Sequence, residues 1–174
     1  MKNQSKIIIL RGNSGSGKTT IAKLLQQHFK DNTLLISQDV IRRQMLKVSD
    51  GVNTPAIDLL INLVEFGNKH CQIIILEGIL RTDWYHKLFH IINELFGHQI
   101  YSYYFDLPFE ETMSRHQQRA EKNEFGEDKM RSWYKEKDYL DIISETKITK
   151  ELSVHQILDR IISDVENDRH YTKK

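Results

Sequence analysis

One stretch near the N-terminus constrains the fold more than any other part of the chain. Lys6 is followed by an unbroken apolar run over residues 7–10, three of the eight glycines follow between positions 12 and 17, and an amphipathic pattern begins at Lys18. An unbroken apolar run is typical of a strand that is buried on both faces of a parallel sheet. The order of strand, glycine-rich turn and helix therefore predicts an α/β fold with a parallel sheet at its centre.

The glycine-rich turn has a spacing that suits an anion. Residues 12–19 read GNSGSGKT, which fits G-x-x-x-x-G-K-[ST]. Glycines let backbone N–H groups curl around phosphate oxygens, and the start of the following helix adds positive potential. Lys18 can then reach the β- and γ-phosphates, and the Thr19 hydroxyl can ligate Mg²⁺. We predict nucleoside triphosphate binding by consecutive residues: Gly12, Asn13, Ser14, Gly15, Ser16, Gly17, Lys18, Thr19 and Thr20.

The rest of the chain alternates between strand and helix patterns. Further strands are predicted at 34–36, 73–76 and 100–105, with a weaker fifth over 141–148, and helices at 40–46, 55–68, 84–96 and 153–165. This alternation predicts one domain over 1–174, with three layers and a five-stranded, mostly parallel sheet that carries helices on both faces. The charged segment 109–137 has a mostly helical pattern that is broken near Phe125 and Gly126.

Composition excludes several classes of protein. The 174 residues include 25 Lys or Arg and 24 Asp or Glu, so the net charge of +1 does not suit a protein that coats nucleic acid or an anionic membrane. The positive charge is local, because residues 1–50 hold nine basic and three acidic side chains. The single cysteine, Cys71, excludes an internal disulfide. With no signal-peptide pattern and no long apolar run, we expect a soluble, cytoplasmic protein without a membrane partner.

Other motifs narrow the class of nucleotide-binding protein. Asn68 and Lys69 are followed by His70 and Cys71, which lacks the Asp of the guanine-reading N-K-x-D motif, and no Asp has a Gly three residues later. The strand before Glu77 ends in one carboxylate, where helicases and ring-forming motors have an Asp-Glu pair. GTPases and motors are therefore disfavoured, and compact kinases remain.

Four segments carry a resemblance to a known family: the glycine-rich loop, Ser37–Arg42, Leu76–Arg81, and Asp106-Leu107-Pro108 followed by Arg115 and Arg119. The chain resembles the small P-loop kinases that include chloramphenicol phosphotransferase, zeta-toxin kinases and polynucleotide 5′-hydroxyl kinases, and more distantly the nucleoside monophosphate kinases. The resemblance implies a P-loop NTPase fold with its functional loops at the carboxyl ends of the strands. It also implies ATP and Mg²⁺ as cofactors.

The resemblance implies two carboxylates in the reaction. Asp39 would orient or deprotonate the acceptor hydroxyl, although Asp39 or Ser37 is equally a residue type that caps the next helix. Glu77 would hold waters around Mg²⁺, and Glu77 as the base in place of Asp39 stays open. Nucleoside monophosphate kinases carry Asp where this chain has Glu77 and often proline where it has Leu80, which weakens the case for a nucleotide acceptor.

Arginines complete the expected site. Arg42 and Arg81 align with the family pattern for acceptor binding, and Arg43 is a weaker candidate, because guanidinium groups match phosphate oxygens. Arg115 and Arg119 are four residues apart and share one helical face. In the resemblance they belong to a short helical lid over about 115–131 that closes over the triphosphate, with its hinge at Phe125 and Gly126, where Gly126 would supply an unusual backbone geometry. They would act with Lys18 and Asp39 in catalysis, while the alternative is a solvated helix.

The expected activity is transfer of the γ-phosphate of ATP to a hydroxyl or phosphate of a small molecule, such as a nucleoside or nucleotide. A polynucleotide 5′-hydroxyl is the second choice, because the chain has no separate nucleic-acid-binding module. A switch protein that binds ATP without transferring phosphate is the alternative from another class. The sequence predicts neither the acceptor nor the oligomeric state.

Overall fold

A computed structural model of the protein describes residues 4–117 and 126–168. Its centre is a five-stranded sheet in the order β2-β3-β1-β4-β5. Every pair of neighbouring strands is parallel, which confirms the predicted α/β fold. The strands are β1 (Lys6–Gly12), β2 (Thr33–Ser37), β3 (Ile73–Gly78), β4 (Ile100–Phe105) and β5 (Glu145–Ile148).

Helices connect the strands and cover the sheet. They are α1 (Lys18–Phe29), α2 (Ala56–His70), α3 (Thr82–Phe96), α4 (Phe109–Gln117), α5 (Glu127–Trp133) and α6 (Val154–Glu166). A short π-helix, Val40–Leu46, follows β2, and a 3₁₀ turn, Gly97–Gln99, precedes β4. No helix within the described part of the chain is long and apolar enough to cross a membrane.

The core lies on both faces of the sheet. Ile7 and Ile9 pack into a cluster with α2 and α3, whereas Ile8 and Leu10 point to the other face, where α1 and α6 lie. These four apolar side chains of β1 are all fully buried, which explains why the apolar run is unbroken. At about 1.5–3 kcal/mol for each buried aliphatic side chain, this central strand anchors the loop that follows it.

The prediction of a fifth strand over 141–148 was wrong in its first part. Only Glu145–Ile148 pair with β4, and the preceding residues are irregular. Ile143 is nevertheless buried in the α2–α3 core, and Ile142 packs against it. These apolar residues are buried in an irregular segment. An apolar pattern in the sequence does not distinguish such a segment from a strand that pairs in the sheet.

The charged segment after β4 forms two described helices, α4 and α5. Arg119 and Phe125 lie outside the described residues, so the proposed lid and its hinge remain predictions. Gly126, directly before α5, has a φ of −89° and an extended backbone. The expectation of an unusual glycine geometry at this position was wrong.

Candidate active site

The loop between β1 and α1 needs its glycines for two reasons. Gly12, Gly15 and Gly17 have φ values of +136°, +80° and +98°, which other residues rarely adopt. There is also no room for a side chain at Gly15, because a Cβ there would lie 2.6 Å from the carbonyl oxygen of Thr112. The loop therefore packs closely against α4 while its backbone keeps the conformation that N–H groups need to surround an anion.

Lys18 begins α1 and lies across this loop. Its buried Nζ donates to the Asn13 carbonyl at 2.8 Å and to the Ser16 hydroxyl at 3.1 Å. Gly17 provides no side-chain cap to α1, and the N-terminus of a helix is a favourable place for an anion. The positive end of α1 and the Lys18 ammonium thus serve the same loop, which is the arrangement that phosphate groups require.

Glu77 brings the ends of three elements together. It is buried at the end of β3, where one carboxylate oxygen accepts a hydrogen bond from Thr19 Oγ1 at 3.2 Å. The other oxygen accepts from the Ser37 hydroxyl at the end of β2. A hydroxyl and a carboxylate are the oxygen ligands that Mg²⁺ prefers, and this ion usually needs only one or two from the protein besides phosphates and water. The pair of Thr19 and Glu77 therefore fits a magnesium site.

Asp39 stands at the start of the π-helix with its side chain 55% exposed. It makes no capping hydrogen bond, and Ser37 donates to Glu77, so neither residue caps this helix. The Asp39 carboxylate instead accepts from Arg42 Nη2 at 2.9 Å and lies 3.5 Å from Arg43 Nε. Two guanidinium groups therefore share this one carboxylate.

A cavity of about 330 Å³ joins the phosphate loop to these residues. This volume lies within the usual range of small-molecule sites. Four residues of the predicted nucleotide-binding stretch do not line the cavity: Gly12, Asn13, Ser16 and Thr20. Thr20 is exposed on α1, whereas the other three are buried. The predicted site residues that do line the cavity are Ser14, Gly15, Gly17, Lys18, Thr19, Glu77, Asp39, Arg42, Arg43 and Arg81.

Arg81 lines the cavity in a constrained orientation. Its Nε and Nη2 donate to the two carboxylate oxygens of Asp83 at 3.1 and 2.7 Å. The hydrogen bond and charge of Arg81 lower the pKa of Asp83. The guanidinium lies over the Trp84 ring with its Cζ 4.1 Å from the ring centroid. Asp83 and Trp84 therefore both constrain the orientation of the Arg81 guanidinium.

Arg115 connects α4 to the phosphate loop. Its Nη1 donates to the Ser16 carbonyl at 3.1 Å, and its Nε donates to Glu111 at 2.6 Å. The predicted lid arginine that the structure describes therefore already contacts the loop. Its partner in the prediction, Arg119, lies outside the described residues.

A buried arginine beside the loop was not predicted from the sequence. Arg11 is fully buried and pairs with Asp138 at 3.0 Å and with Glu145 at 2.9 Å. Its Nε and Nη2 also donate to the Leu80 carbonyl at 3.1 and 2.9 Å. The one available signal was an arginine at the end of an apolar strand, because the partners lie far away in the sequence.

Gln38 was missed as well, although it adjoins Asp39. Its Oε1 accepts from the backbone N–H groups of Ile79 and Leu80 at 2.9 and 3.3 Å, and its Nε2 donates to Asp50 and to the Tyr85 hydroxyl. Burial, and then the hydrogen bond to Asp50, raises the pKa of Tyr85. Leu80 has a φ of +46°, a left-handed conformation that is unusual for a branched residue. Gln38 accepts from the Leu80 N–H and Arg11 donates to the Leu80 carbonyl, so the two side chains stabilise the turn that precedes Arg81.

Comparisons with known proteins agree with this fold. A family model described as an AAA domain matches residues 7–140. A search of curated proteins finds no significant match. Among solved structures, the Mycobacterium tuberculosis APS kinase in complex with AMPPNP and APS is 16% identical, with a TM-score of 0.67 over 94% of this chain and 98% of that chain.

Two further kinases have similar structures. A gluconokinase from Sinorhizobium meliloti is 11% identical, with a TM-score of 0.64 over 96% of this chain and 94% of that one. Shikimate kinase from Aquifex aeolicus is 17% identical, with a TM-score of 0.54 over 93% of this chain and 97% of the other. The chain belongs to the AAA-domain family whose model it matches, and it has the fold of the small P-loop kinases.

Proposed function

We propose that this protein is an ATP- and Mg²⁺-dependent phosphotransferase that moves the γ-phosphate to a hydroxyl or phosphate of a small molecule. One observation carries the proposal: a single cavity joins the phosphate loop and Glu77 to Asp39 and its arginines. The similar APS kinase, gluconokinase and shikimate kinase, by their names, act on small molecules, which supports an acceptor of that size.

The donor side holds the triphosphate. The loop N–H groups and Lys18 bind the phosphates, while Thr19 and Glu77 hold Mg²⁺. When bound, the metal offsets phosphate charge and polarises the transferring group. Arg115, which contacts the loop at Ser16, adds positive charge as the bond to the leaving oxygen breaks, and Arg119 is expected to act with it.

The acceptor side begins at Asp39. Its half-exposed carboxylate lines the cavity, where it can accept a hydroxyl proton or orient that hydroxyl toward the γ-phosphorus. Glu77 is a weaker candidate for the base, since its two oxygens already accept hydrogen bonds from Thr19 and Ser37 beside the expected metal. We therefore assign Asp39 to the acceptor and Glu77 to the magnesium ion.

The test is a transfer assay with γ-labelled ATP, Mg²⁺ and a mixed pool of nucleosides, nucleotides, sugars, hydroxy acids, antibiotics and short oligonucleotides. The proposal expects label in a small-molecule product with the wild type and none with Lys18→Met. Label in oligonucleotide ends alone would identify a polynucleotide kinase. Tight MgATP binding with no labelled product would identify a nucleotide-dependent switch, and either result would overturn the proposal.

A further inference from the structure

Gln38 is a buried amide between β2 and the π-helix, next to the acceptor side of the cavity. It is only 1% exposed, and it is followed directly by Asp39, which lines the cavity. A buried amide needs hydrogen-bond partners for its oxygen and for its N–H groups. The partners of Gln38 come from three other parts of the fold: the turn after β3, the segment after the π-helix, and α3.

Both ends of the Gln38 amide are engaged. Its Oε1 accepts from the N–H groups of Ile79 and Leu80 at 2.9 and 3.3 Å. Its Nε2 donates to Asp50 Oδ2 at 2.9 Å and to the Tyr85 hydroxyl at 2.7 Å, and this hydroxyl donates to the other oxygen of Asp50. Because N–H donors lie on one side and a carboxylate on the other, only one orientation of the amide satisfies all of these groups.

Gly78 provides the space for this side chain. It ends β3, and it does not have the left-handed backbone of the phosphate-loop glycines, so its conformation does not require glycine. A Cβ on Gly78 would lie 2.7 Å from the Cβ of Gln38, which is closer than two such carbon atoms approach. The missing side chain at Gly78 therefore matches the long buried amide at Gln38.

The contacts of Gln38 connect three segments that line one cavity. Asp39 follows Gln38 in the sequence, Arg81 follows Leu80, and Asp50 is itself a partner of the amide. Asp39, Asp50 and Arg81 all line the cavity. One buried side chain therefore connects the segments that carry these three charged residues.

We infer that Gln38 is a positioning residue for phosphate transfer. It fixes the segment that carries Asp39 relative to the turn before Arg81 and relative to Asp50, so that the acceptor meets a preformed site. This inference rests on the proposed function, because it takes the Asp39 side of the cavity as the acceptor side. A purely structural Gln38 would contribute to stability but would leave the kinetics of the folded enzyme unchanged.

An exchange of two side-chain groups tests positioning separately from stability. Gln38→Glu places a carboxylate against the Asp50 carboxylate, and Asp50→Asn places an amide against the Gln38 amide. Each single variant thus loses the amide–carboxylate pair. The double variant Gln38→Glu/Asp50→Asn restores one amide and one carboxylate, with the direction of the hydrogen bond reversed.

The assay measures transfer from saturating MgATP to an acceptor found in the labelled pool. Each single variant is expected to reduce kcat/KM for the acceptor about tenfold or more while KM for ATP stays within about twofold, and the double variant should return to within about threefold of the wild type. Gln26→Glu removes an amide that donates to the Thr33 carbonyl outside the cavity, and as the matched control it should keep wild-type kinetics.

Melting temperatures identify variants that fail to fold. Wild-type kinetics for the acceptor in a folded Gln38→Glu protein would overturn the inference. A folded double variant that transfers phosphate no faster than the single variants would overturn it as well.

Amide hydrogen exchange gives a readout that does not depend on transfer. Gln38→Met keeps the length of the side chain but removes the oxygen that accepts from Ile79 and Leu80. These two amides should therefore exchange about tenfold faster or more than in the wild type, while the amides of β1 keep their rates. Unchanged exchange at Ile79 and Leu80 would contradict the inference.

The outcomes keep this inference distinct from the proposed function. A wild type that transfers phosphate to no acceptor would contradict the kinase, whatever the exchange rates at Ile79 and Leu80. Transfer by the wild type that is unaffected by Gln38→Glu would support the kinase and contradict the positioning role alone.

Discussion

Asn13 and Lys135 exchange two hydrogen bonds across 122 residues of sequence. The Asn13 Nδ2 donates to the Lys135 carbonyl and the Lys135 N–H donates to Asn13 Oδ1, each at 2.9 Å. This reciprocal pair joins the phosphate loop to the chain directly after α5. The segment that places Trp133 in the cavity is thus attached to the loop that is expected to hold the nucleotide.

Substitution of Asn13 by Ala should destabilise the protein. It removes both hydrogen bonds and leaves two backbone groups of Lys135 without these partners, so the free energy of unfolding should fall by about 1–3 kcal/mol. Denaturant unfolding without nucleotide measures this change. Asn167→Ala removes an exposed hydrogen bond to Ser163 and, as the control, should cost about 0.5 kcal/mol or less. Equal stabilities for the wild type and Asn13→Ala would show that the pair contributes nothing.

Asp138 should make stability depend on pH. Burial by itself raises its pKa, but hydrogen bonds from Lys135 and Thr82 and the charge of Arg11 outweigh burial and lower it below the ordinary value of 3.8. As pH falls, the unfolded chain therefore takes up this proton first, and the stabilisation, complete above about pH 5, is lost as pH drops through the folded-state pKa.

The comparison of the wild type with Asp138→Asn checks this. The wild type should be the more stable protein at pH 7, and the difference between the two unfolding free energies should shrink as pH falls below the ordinary pKa of 3.8 and the unfolded chain takes up this proton. A difference in stability that stays constant from pH 7 to pH 2 would contradict the assignment.

The phosphate loop and its flanking elements could be predicted from local sequence patterns, because β1, the loop and α1 are consecutive in the sequence. The glycine positions follow from backbone geometry, and the apolar run follows from burial on both faces. The network around Arg11 was beyond such reasoning, since Asp138 and Glu145 are 127 and 134 residues away. Only the arrangement of parallel strands brings these charges together.

Arg81 illustrates a different limit. Its position after β3 predicted an acceptor-binding arginine, and it does line the cavity. Its orientation depends on Asp83, Trp84 and the left-handed turn at Leu80, and that turn is held by Gln38 from another strand end. Residue type and spacing indicate which side chain reaches a site, whereas residues of neighbouring elements determine how that side chain is oriented.

Substitution of Glu77 by Gln should raise the magnesium requirement. The carboxylate charge that would hold Mg²⁺ and its waters is lost, so the Mg²⁺ concentration for half-maximal activity should rise about 10–100-fold. Magnesium titration of the transfer rate measures this shift. Ser37→Ala removes only the hydroxyl that donates to Glu77 and should cause a smaller rise. An unchanged magnesium curve for Glu77→Gln would exclude Glu77 from the metal site.

Substitution of Arg115 by Ala should reduce turnover more than ATP affinity. A cation that stabilises developing charge acts mainly in the transition state, so kcat should fall about 100-fold or more while KM for ATP changes little. Steady-state kinetics measure both quantities. Arg131→Ala, which removes an exposed arginine paired with Glu127 on α5, is the control and should keep wild-type turnover. A raised KM with normal kcat would place Arg115 in ground-state binding alone.

The most direct test of the central claim follows one turnover of MgATP with an acceptor found in the labelled pool. The wild type should form ADP and phosphorylated acceptor in equal amounts. Asp39→Ala should bind MgATP normally and stay folded, with a melting temperature lowered only by the loss of its ion pairs to Arg42 and Arg43, but transfer phosphate about 10²–10⁴ times more slowly. Transfer by Asp39→Ala at the wild-type rate, or ADP formed by the wild type with free phosphate alone, would contradict the account.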